Sequence, residues 1–215
     1  MRVFTALRSG GDFRPRHVQA LQRQVLQWSP AGTTFTCLSD IDIPGVTTIP
    51  FKTNWPTWWA KFELLGPEFT GDFLYLDIDT VIVGPIDDFL KPGQPLTTYR
   101  GCGALQWLTE DSRKEPGDIF RYDPEGIIAE YGGEDIFLRA VWTGQHGCFE
   151  DTEEDKRNCS AQYEDILPGK ISYRAKSLGC RPIRTAVPRG PDTRIIIFSG
   201  APRPWHLSEF RGLYR

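Results

Sequence analysis

The chain has 215 residues, a net charge of −3 at pH 7 and 40% hydrophobic residues, which allows one globular α/β domain with a substantial core. The slightly acidic balance excludes a general electrostatic attraction to nucleic acid. No apolar run reaches the roughly eighteen residues of a transmembrane helix, and the N-terminal apolar segment is too short for a signal peptide, so a cytoplasmic location is expected.

In the first half of the chain, predicted strands alternate with predicted helices. Strands are predicted at 2–7, 33–38 and 73–84, and helices at 17–28 and 57–65. The stretch 42–56 is rich in Pro, Gly and Thr and is predicted to be a loop. This order of elements predicts a Rossmann-like, mostly parallel central sheet flanked by helices.

The second half of the chain has weaker patterns. Elements are predicted at 97–108, 119–121, 126–131, 134–141, 171–174 and 194–198. Gly101 and Gly103 interrupt the first of these, and Pro124 separates the next two. Neither an internal repeat nor a linker divides the sequence, so a single domain is expected.

The five cysteines are odd in number, widely spaced and without a Cys-x-x-Cys pair. This spacing predicts reduced thiols rather than a zinc site or a disulfide framework. One alternative stays open, a pair between Cys148 and Cys159, which flank an acidic loop.

The most informative segment is Phe-Leu-Tyr-Leu-Asp77-Ile-Asp79-Thr-Val-Ile-Val. Its apolar, β-favouring residues predict a buried strand, where two ionised carboxylates are costly unless a cation holds them. Residues two apart project to the same side of a strand, and the carboxyl end of a parallel strand opens onto the ligand crevice. A divalent ion that also binds phosphate is the simplest partner for Asp77 and Asp79. The structural alternative is that Asp79 and Thr80 only cap a turn.

Five segments, in this order, resemble the family-8-like retaining glycosyltransferases with the GT-A fold, such as glycogenin and bacterial galactosyltransferases. The segments are Trp-Ala-Lys61-Phe-Glu-Leu, the Asp77-Ile-Asp79 strand, Gly101-Cys102-Gly103-Ala104-Leu105, Gly133-Glu134-Asp135-Ile136-Phe137-Leu138 and Phe198-Ser199-Gly200-Ala201-Pro202-Arg203-Pro204-Trp205. The Asp-x-Asp pair alone is common, but the order of the five and the closing Gly-x-x-Arg-Pro-Trp make the set fairly specific.

The resemblance implies a GT-A-type single domain, with a nucleotide-binding half at 1–100 and an acceptor and closing half at 101–215. It also implies transfer of a sugar from a nucleoside-diphosphate sugar, UDP-linked, to a hydroxyl acceptor with retention. Negative charge then grows on the leaving diphosphate, which a divalent ion can neutralise as a Lewis acid. Mn²⁺ or Mg²⁺ suits oxygen ligands of this type.

The resemblance also implies roles for individual residues. The metal ligands are Asp77 and Asp79, the catalytic residues are Glu134 and Asp135, and the donor-binding residues are Leu7, Asp40, Lys61, Gly200 and Arg203. Purely structural roles stay open for most of them. These are helix capping for Glu134 and Asp135, a solvated surface charge for Lys61, and turn formation for Gly200 and Asp40.

Two departures from the family pattern affect the closing segment. Ile197 stands where the family has a metal ligand and cannot bind a metal, and Ser199 and His206 are the candidate replacements. Arg203 stands where the family has Lys, which keeps the charge and adds a bidentate fork. The family's Asn before Ser-Gly is also absent here, which leaves the acceptor side open.

The aromatic and imidazole side chains have weaker signals. Trp58 is predicted to share one face of the 57–65 helix with Phe62 and Leu65. Three tryptophans could stack on a sugar or a base, although at least one is expected in the core; they are Trp55, Trp58 and Trp59. His17, His146 and Trp205 are interpreted as structural residues, since no partner stands at ligand spacing.

Two other functions compete with glycosyl transfer. Asp77 and Asp79 after an apolar strand also fit the nucleophile motif of a haloacid-dehalogenase-like phosphatase, although that motif usually opens its domain. A nucleotide-sugar-binding module without turnover is the second, supported by Ile197. The acceptor stays unidentified: a saccharide, a protein hydroxyl or a hydroxylated base of nucleic acid, the last favoured only by the basic stretch 174–215.

Overall fold

A computed structural model describes residues 1–90, 96–99, 102–146, 171–174, 192–198 and 203–214. The strands are β1 Arg2–Leu7, β2 Thr34–Ser39, β3 Thr47–Pro50, β4 Phe73–Leu76, β5 Val81–Ile82, β6 Leu96–Tyr99, β7 Cys102–Leu108, β8 Ile171–Arg174 and β9 Ile195–Phe198. The α-helices are α1 Pro15–Trp28, α2 Glu110–Tyr122, α3 Pro124–Glu130 and α4 Glu134–His146. Short 3₁₀ helices lie at Thr57–Leu65, Asp87–Leu90, Pro204–His206 and Arg211–Tyr214.

The main sheet has six strands in the order β3-β2-β1-β4-β7-β6. Strands β3, β2, β1 and β4 are parallel, whereas β7 is antiparallel to both of its neighbours. The predicted mostly parallel central sheet is therefore confirmed. The carboxyl ends of β1, β2 and β4 share one edge of this sheet, where a ligand crevice is expected.

A second sheet has the order β5-β9-β8. β5 begins two residues after Asp79 and pairs antiparallel with β9, with Val81 opposite Ile196. Both strands are fully buried. This pairing brings the C-terminal part of the chain beside the Asp-x-Asp turn.

The structure corrects the predicted loop at 42–56, which contains strand β3. Thr47, Thr48 and Ile49 are β-branched and pair in parallel with β2, as their side chains favour. Pro50 ends this strand, and β3 is the first strand in the sheet order, so the missing N–H of Pro50 is tolerated there.

The weak elements predicted at 119–121 and 126–131 belong to two proper helices, α2 and α3. Thr109 begins α2 as its N-cap by accepting the Ser112 N–H, and Asp123 caps α3 by accepting the Gly126 N–H. The prediction missed most of α2 because Pro116 lies inside it, where proline normally disfavours a helix. Gly103 was also expected to interrupt a strand, but it lies within β7.

The helix predicted at 57–65 is present as a 3₁₀ helix, and its seven residues from 59 to 65 are buried. Trp59 stacks on Phe120 with ring centroids 5.5 Å apart, and Phe62 contacts Phe120 at 4.6 Å and Phe137 at 5.7 Å. The expected core role is thus confirmed for Trp59. The face expected to be shared by Trp58, Phe62 and Leu65 is wrong, because Trp58 is 52% exposed whereas Phe62 and Leu65 are buried.

Two smaller predictions concern cysteines and membranes. Cys37 is free and buried, as predicted, and burial raises the pKa of its thiol to about 12. The side chains of the other four cysteines lie outside the described part of the structure. Within the described residues, no helix combines the length and the apolar character that crossing a bilayer requires.

A buried imidazole joins the start of α1 to the C-terminal segment. The ring of His17 stacks on Trp205 with centroids 3.8 Å apart, and its Nδ1 accepts the Arg14 backbone N–H at 3.1 Å. Trp205 also contacts Phe13 and Tyr214. The structural roles predicted for His17 and Trp205 are confirmed, whereas the side chain of His146 lies outside the described part.

We expect His17 to make stability depend on pH. Burial, with Arg16 and Arg14 nearby, lowers the pKa of His17 to about 4, against about 6.5 when unfolded. Between these values the unfolded chain binds a proton that the folded chain does not, so the free energy of unfolding falls as pH falls from 6.5 towards 4. From pH 7 to pH 5, urea denaturation should show a drop larger by roughly 1–2 kcal/mol in the wild type than in His17→Asn, which keeps an acceptor. Equal drops would contradict the assignment.

Candidate functional site

A cleft of about 790 Å³ opens at the carboxyl edge of the parallel strands. Its walls come from the loop after β1, the 3₁₀ helix Thr57–Leu65, the turn after β4, strand β7 and the start of α4. Arg203 closes one side. Most of the charged residues predicted for the site lie in this cleft.

The predicted strand at 73–84 is divided into β4 and β5, so Asp77 and Asp79 do not lie on a strand but in the turn that follows β4. The strand ends at Leu76, one residue before the first carboxylate. The Asp77 N–H donates to the Ala104 carbonyl at 2.8 Å, and the Thr80 N–H donates to the Asp77 carbonyl at 3.0 Å. The main chain on both sides of Asp79 is thereby fixed, and both carboxylates line the cleft.

The carboxylate of Asp79 is buried beside another carboxylate. Its side chain is 5% exposed and forms an ion pair with Arg203. Burial and the charge of Asp77 raise the pKa of Asp79 to about 7, against the lowering effect of Arg203. The Asp79 side chain is thus paired with a cation that lines the cleft, so it does more than cap a turn.

The ammonium group of Lys61 is buried among oxygen atoms. Its Nζ lies 2.6 Å from Glu134 Oε1 and 3.4 Å from Asp77 Oδ1, and it donates to the Gly103 carbonyl at 3.2 Å. The Lys61 side chain is 7% exposed, so the solvated-charge alternative is wrong for it. Lys61 connects one predicted metal ligand with one predicted catalytic residue.

Gly103 allows this close arrangement. A Cβ atom at this position would lie 2.9 Å from Glu134 Oε1 and 2.9 Å from Lys61 Nζ, closer than real Cβ atoms approach such atoms. Strand β7 therefore passes so close to the ion pair that a Cβ at this position would displace one of these two atoms.

The residues of the cleft fit a divalent cation. Asp77 and Asp79 offer hard carboxylate oxygen donors in the cleft. The other charged residues of the lining are the acids Asp12, Glu134 and Asp135 and the cations Arg8, Lys61 and Arg203. In the described part of the chain, no group of three or more His, Cys, Asp or Glu could hold a metal. Proteins commonly bind Mg²⁺ through one or two carboxylates together with substrate phosphates, so Asp77 and Asp79 would suffice.

The remaining predicted site residues lie in different places. Asp135 lines the cleft. Asp40 is outside the lining but holds the loop after β1, since it accepts the Ser9 N–H and hydroxyl, both at 2.8 Å. Although desolvation acts to raise it, these hydrogen bonds lower the pKa of Asp40. Leu7 is 1% exposed in the core, so only its main chain could contact a donor.

The closing segment is described only in part. Gly200 and Ser199 lie outside the described residues. Ile197 is fully buried in β9, which agrees with its inability to bind a metal. His206 is exposed, and its Nδ1 accepts the Arg203 N–H at 3.2 Å.

Comparison with solved structures identifies the fold. The chain is similar to the glycosyltransferase GlyE from Streptococcus pneumoniae TIGR4, with a TM-score of 0.57 and 14% identity over 99% of this chain. It is also similar to an active-site variant of LgtC, with a TM-score of 0.59 and 11% identity over 99% of this chain. The galactosyltransferase LgtC in complex with donor and acceptor sugar analogues gives a TM-score of 0.52 and 12% identity over all of this chain.

The fold is that of the GT-A glycosyltransferases. The chain spans 58% of the GlyE chain and 95% of each LgtC chain. Neither a protein-family model nor a curated protein matches the sequence. At 11–14% identity the likeness establishes the fold alone, and the activity has to be argued from the cleft.

Two residues of this GT-A cleft were missed in the sequence. Tyr75 donates from its hydroxyl to Asp77 Oδ1 at 2.6 Å; it stands two residues before Asp77 on β4, so the strand period could have revealed it. Arg8 donates to the Thr53 carbonyl at 3.0 Å and to the Trp55 carbonyl at 3.2 Å. Its position just after β1, at the crevice edge, was the available signal.

Gly103→Ala should destabilise the protein, because the new Cβ would push apart the Lys61–Glu134 pair. Overpacking of this kind typically costs about 1–3 kcal/mol. The measurement is the free energy of unfolding in urea, with Gly212→Ala as the matched control. A Cβ at Gly212 meets nothing within 4 Å, so the control should change little. Equal stability of the two variants would mean that the space beside Gly103 is not needed.

Proposed function

We propose that this protein is a metal-dependent glycosyltransferase that moves a sugar from a nucleoside-diphosphate sugar, UDP-linked, to a hydroxyl acceptor with retention. One observation carries the proposal: in a GT-A fold, the paired carboxylates of Asp77 and Asp79 share one cleft at the carboxyl edge of the sheet with Glu134, Lys61 and Arg203. Such an arrangement suits the departure of a diphosphate from a sugar.

Asp77 and Asp79 would hold Mn²⁺ or Mg²⁺, which when bound neutralises charge on the leaving diphosphate. The hydroxyl of Tyr75 fixes one oxygen of Asp77 by its 2.6 Å hydrogen bond. The hydrogen bond from the Asp77 N–H to Ala104 fixes its main chain. The first carboxylate is therefore oriented before any ligand arrives, which lowers the entropy lost on binding.

Glu134 stabilises the positive charge that develops at the anomeric carbon. Its Oε1 already binds Lys61 at 2.6 Å, an arrangement that suits electrostatic stabilisation better than removal of a proton from the acceptor. This supports retention. Asp135, next in α4, lies on the same wall and orients sugar hydroxyls.

Arg203 binds the donor diphosphate through its guanidinium fork. Without ligand it pairs with Asp79 and lies over the ring of Phe13, 5.0 Å from the ring centroid. Its main chain is the N-cap of the 3₁₀ helix Pro204–His206 and is held by His206. The side chain can therefore exchange a carboxylate for a phosphate without movement of its backbone.

The two halves of the chain divide the work in this proposal. Residues 1–100 bind the nucleotide through the loop after β1, where Arg8 and Ser9 line the cleft and Asp40 holds Ser9. The main chain of Leu7 and, in the closing segment, Gly200 are further proposed donor contacts. Residues 101–215 supply Glu134, Asp135 and Arg203.

A donor screen tests the proposed function directly. UDP-, GDP-, ADP- and dTDP-linked sugars are added with Mn²⁺, Mg²⁺ or EDTA, and binding is read by thermal shift while turnover is read by release of the nucleoside diphosphate. We expect binding and release with a sugar nucleotide and a metal. If no donor binds and none is turned over under any metal condition, the proposal is wrong. Release of phosphate from simple phosphomonoesters would instead indicate a phosphatase.

Asp79→Ala should reduce metal-stimulated donor turnover by at least about a hundredfold. The variant should remain folded. The carboxylate is buried next to Asp77, so its removal relieves repulsion. The control is Asp111→Ala, which removes a carboxylate that is 88% exposed and pairs only locally with Lys114. Turnover by Asp79→Ala near the wild-type rate would place the metal elsewhere.

Arg203→Ala should weaken donor binding by roughly 1.5–3 kcal/mol, the range for hydrogen bonds to charged groups. The same change should tighten Mn²⁺ binding without donor, because it removes the cation that competes at Asp79. Arg203→Lys should fall between, since it keeps the charge but loses the fork. Calorimetry with donor and with Mn²⁺ alone measures both effects; unchanged donor affinity would make Arg203 a surface residue.

A further inference from the structure

A tryptophan stands exposed on the wall of the cleft. Trp58 is 52% exposed, although its neighbour Trp59 and the six residues after it are buried. Trp58 lies three residues before Lys61, one turn of a 3₁₀ helix, so both side chains project to the cleft side. The indole N–H makes no hydrogen bond with a described residue.

The backbone that presents Trp58 is strained. Thr57 has a φ of +50°, the one positive value at a non-glycine residue among those described. This conformation is a genuine outlier for a β-branched residue and costs on the order of 1–3 kcal/mol. Strain of this kind is retained where the surroundings impose it, often at a ligand-binding position.

Trp58 lies directly beside the proposed catalytic segment. A Cβ at Gly133 would be 3.9 Å from its indole nitrogen and 3.0 Å from Asp135 Oδ1. Ile136, on the first turn of α4, lines the same cleft and is 49% exposed. An aromatic face, an exposed aliphatic side chain and a carboxylate thus stand together next to Glu134.

We propose that Trp58, Ile136 and Asp135 form the acceptor subsite, and that it takes the hexopyranose ring of a neutral saccharide. This inference rests on the proposed function. The C–H face of a pyranose ring covers the indole, while its hydroxyls donate to Asp135. One apolar face and several polar edges are the features that this wall can recognise.

The charges around this wall argue against the other acceptors. Glu134 and Asp135 would repel the phosphates of a nucleic acid, and the nearby cation Lys61 already binds Glu134 and Asp77. Serine and threonine side chains are too small to cover an indole face and would leave most of it exposed, and a tyrosine ring offers only one hydroxyl to Asp135. A neutral sugar ring satisfies both conditions.

The test compares wild type, Trp58→Ala and Trp58→Phe, with Tyr122→Ala as control. Tyr122 is 93% exposed and lies outside the cleft lining, so its loss matches the removal of an exposed aromatic side chain. The probes are methyl glycosides of galactose, glucose and mannose, titrated by saturation-transfer NMR with and without a nucleotide sugar. Donor hydrolysis without acceptor is measured separately.

We expect at least one glycoside to bind wild type, Trp58→Phe and the control, and to bind Trp58→Ala about tenfold more weakly. Donor hydrolysis by the Tyr122→Ala control should stay within about twofold of wild type. Equal glycoside binding by Trp58→Ala, or binding of a serine peptide or an oligonucleotide in place of every glycoside, overturns the subsite. Absence of donor binding in wild type would contradict the proposed function instead. The glycoside titration would still show whether Trp58 contributes to saccharide binding.

Discussion

The buried ammonium of Lys61 is the constraint on which the cleft depends. An unpaired charge that is 7% exposed would cost several kcal/mol. Its compensation comes from three separate elements: the turn after β4 with Asp77, strand β7 with the Gly103 carbonyl, and the start of α4 with Glu134. Because all three must surround one atom, their relative positions are set by electrostatics, and the space for them requires the missing side chain of Gly103.

An aromatic cluster packs against the elements that carry Lys61 and Glu134. Rings from the 3₁₀ helix Thr57–Leu65, from α2 and from α4 contact one another, with centroids 4.6–5.8 Å apart between Phe62, Phe120 and Phe137. The helix that carries Lys61 is thereby held against the helix that carries Glu134. Packing therefore adds to the electrostatic constraint on the ion pair, since side chains in such cores have few alternative positions.

The part of the site around Asp79 and Arg203 depends on contacts between the N-terminal and C-terminal parts of the chain. Strand β9 pairs with β5 just after Asp79, and Trp205 stacks on His17 at the start of α1. Arg203 lies between these two contacts and pairs with Asp79. A cation of the protein therefore occupies the carboxylate that the proposed function assigns to a metal.

Local patterns in the sequence were sufficient for β1, α1 and α4 and for the carboxylates that follow a buried strand, because period and apolar content are properties of neighbouring residues. Most of helix α2 was missed because Pro116 contradicts the usual helical signal. Trp58 was assigned to the same face as Phe62 and Leu65 because α-helical spacing was assumed, whereas a 3₁₀ helix places these residues differently. The partners of Lys61, the ion pair of Arg203 with Asp79 and the need for Gly103 were decided only by tertiary structure. These contacts join residues that are far apart in the chain. The strand order that brings them together cannot be predicted from the residue pattern of any single segment.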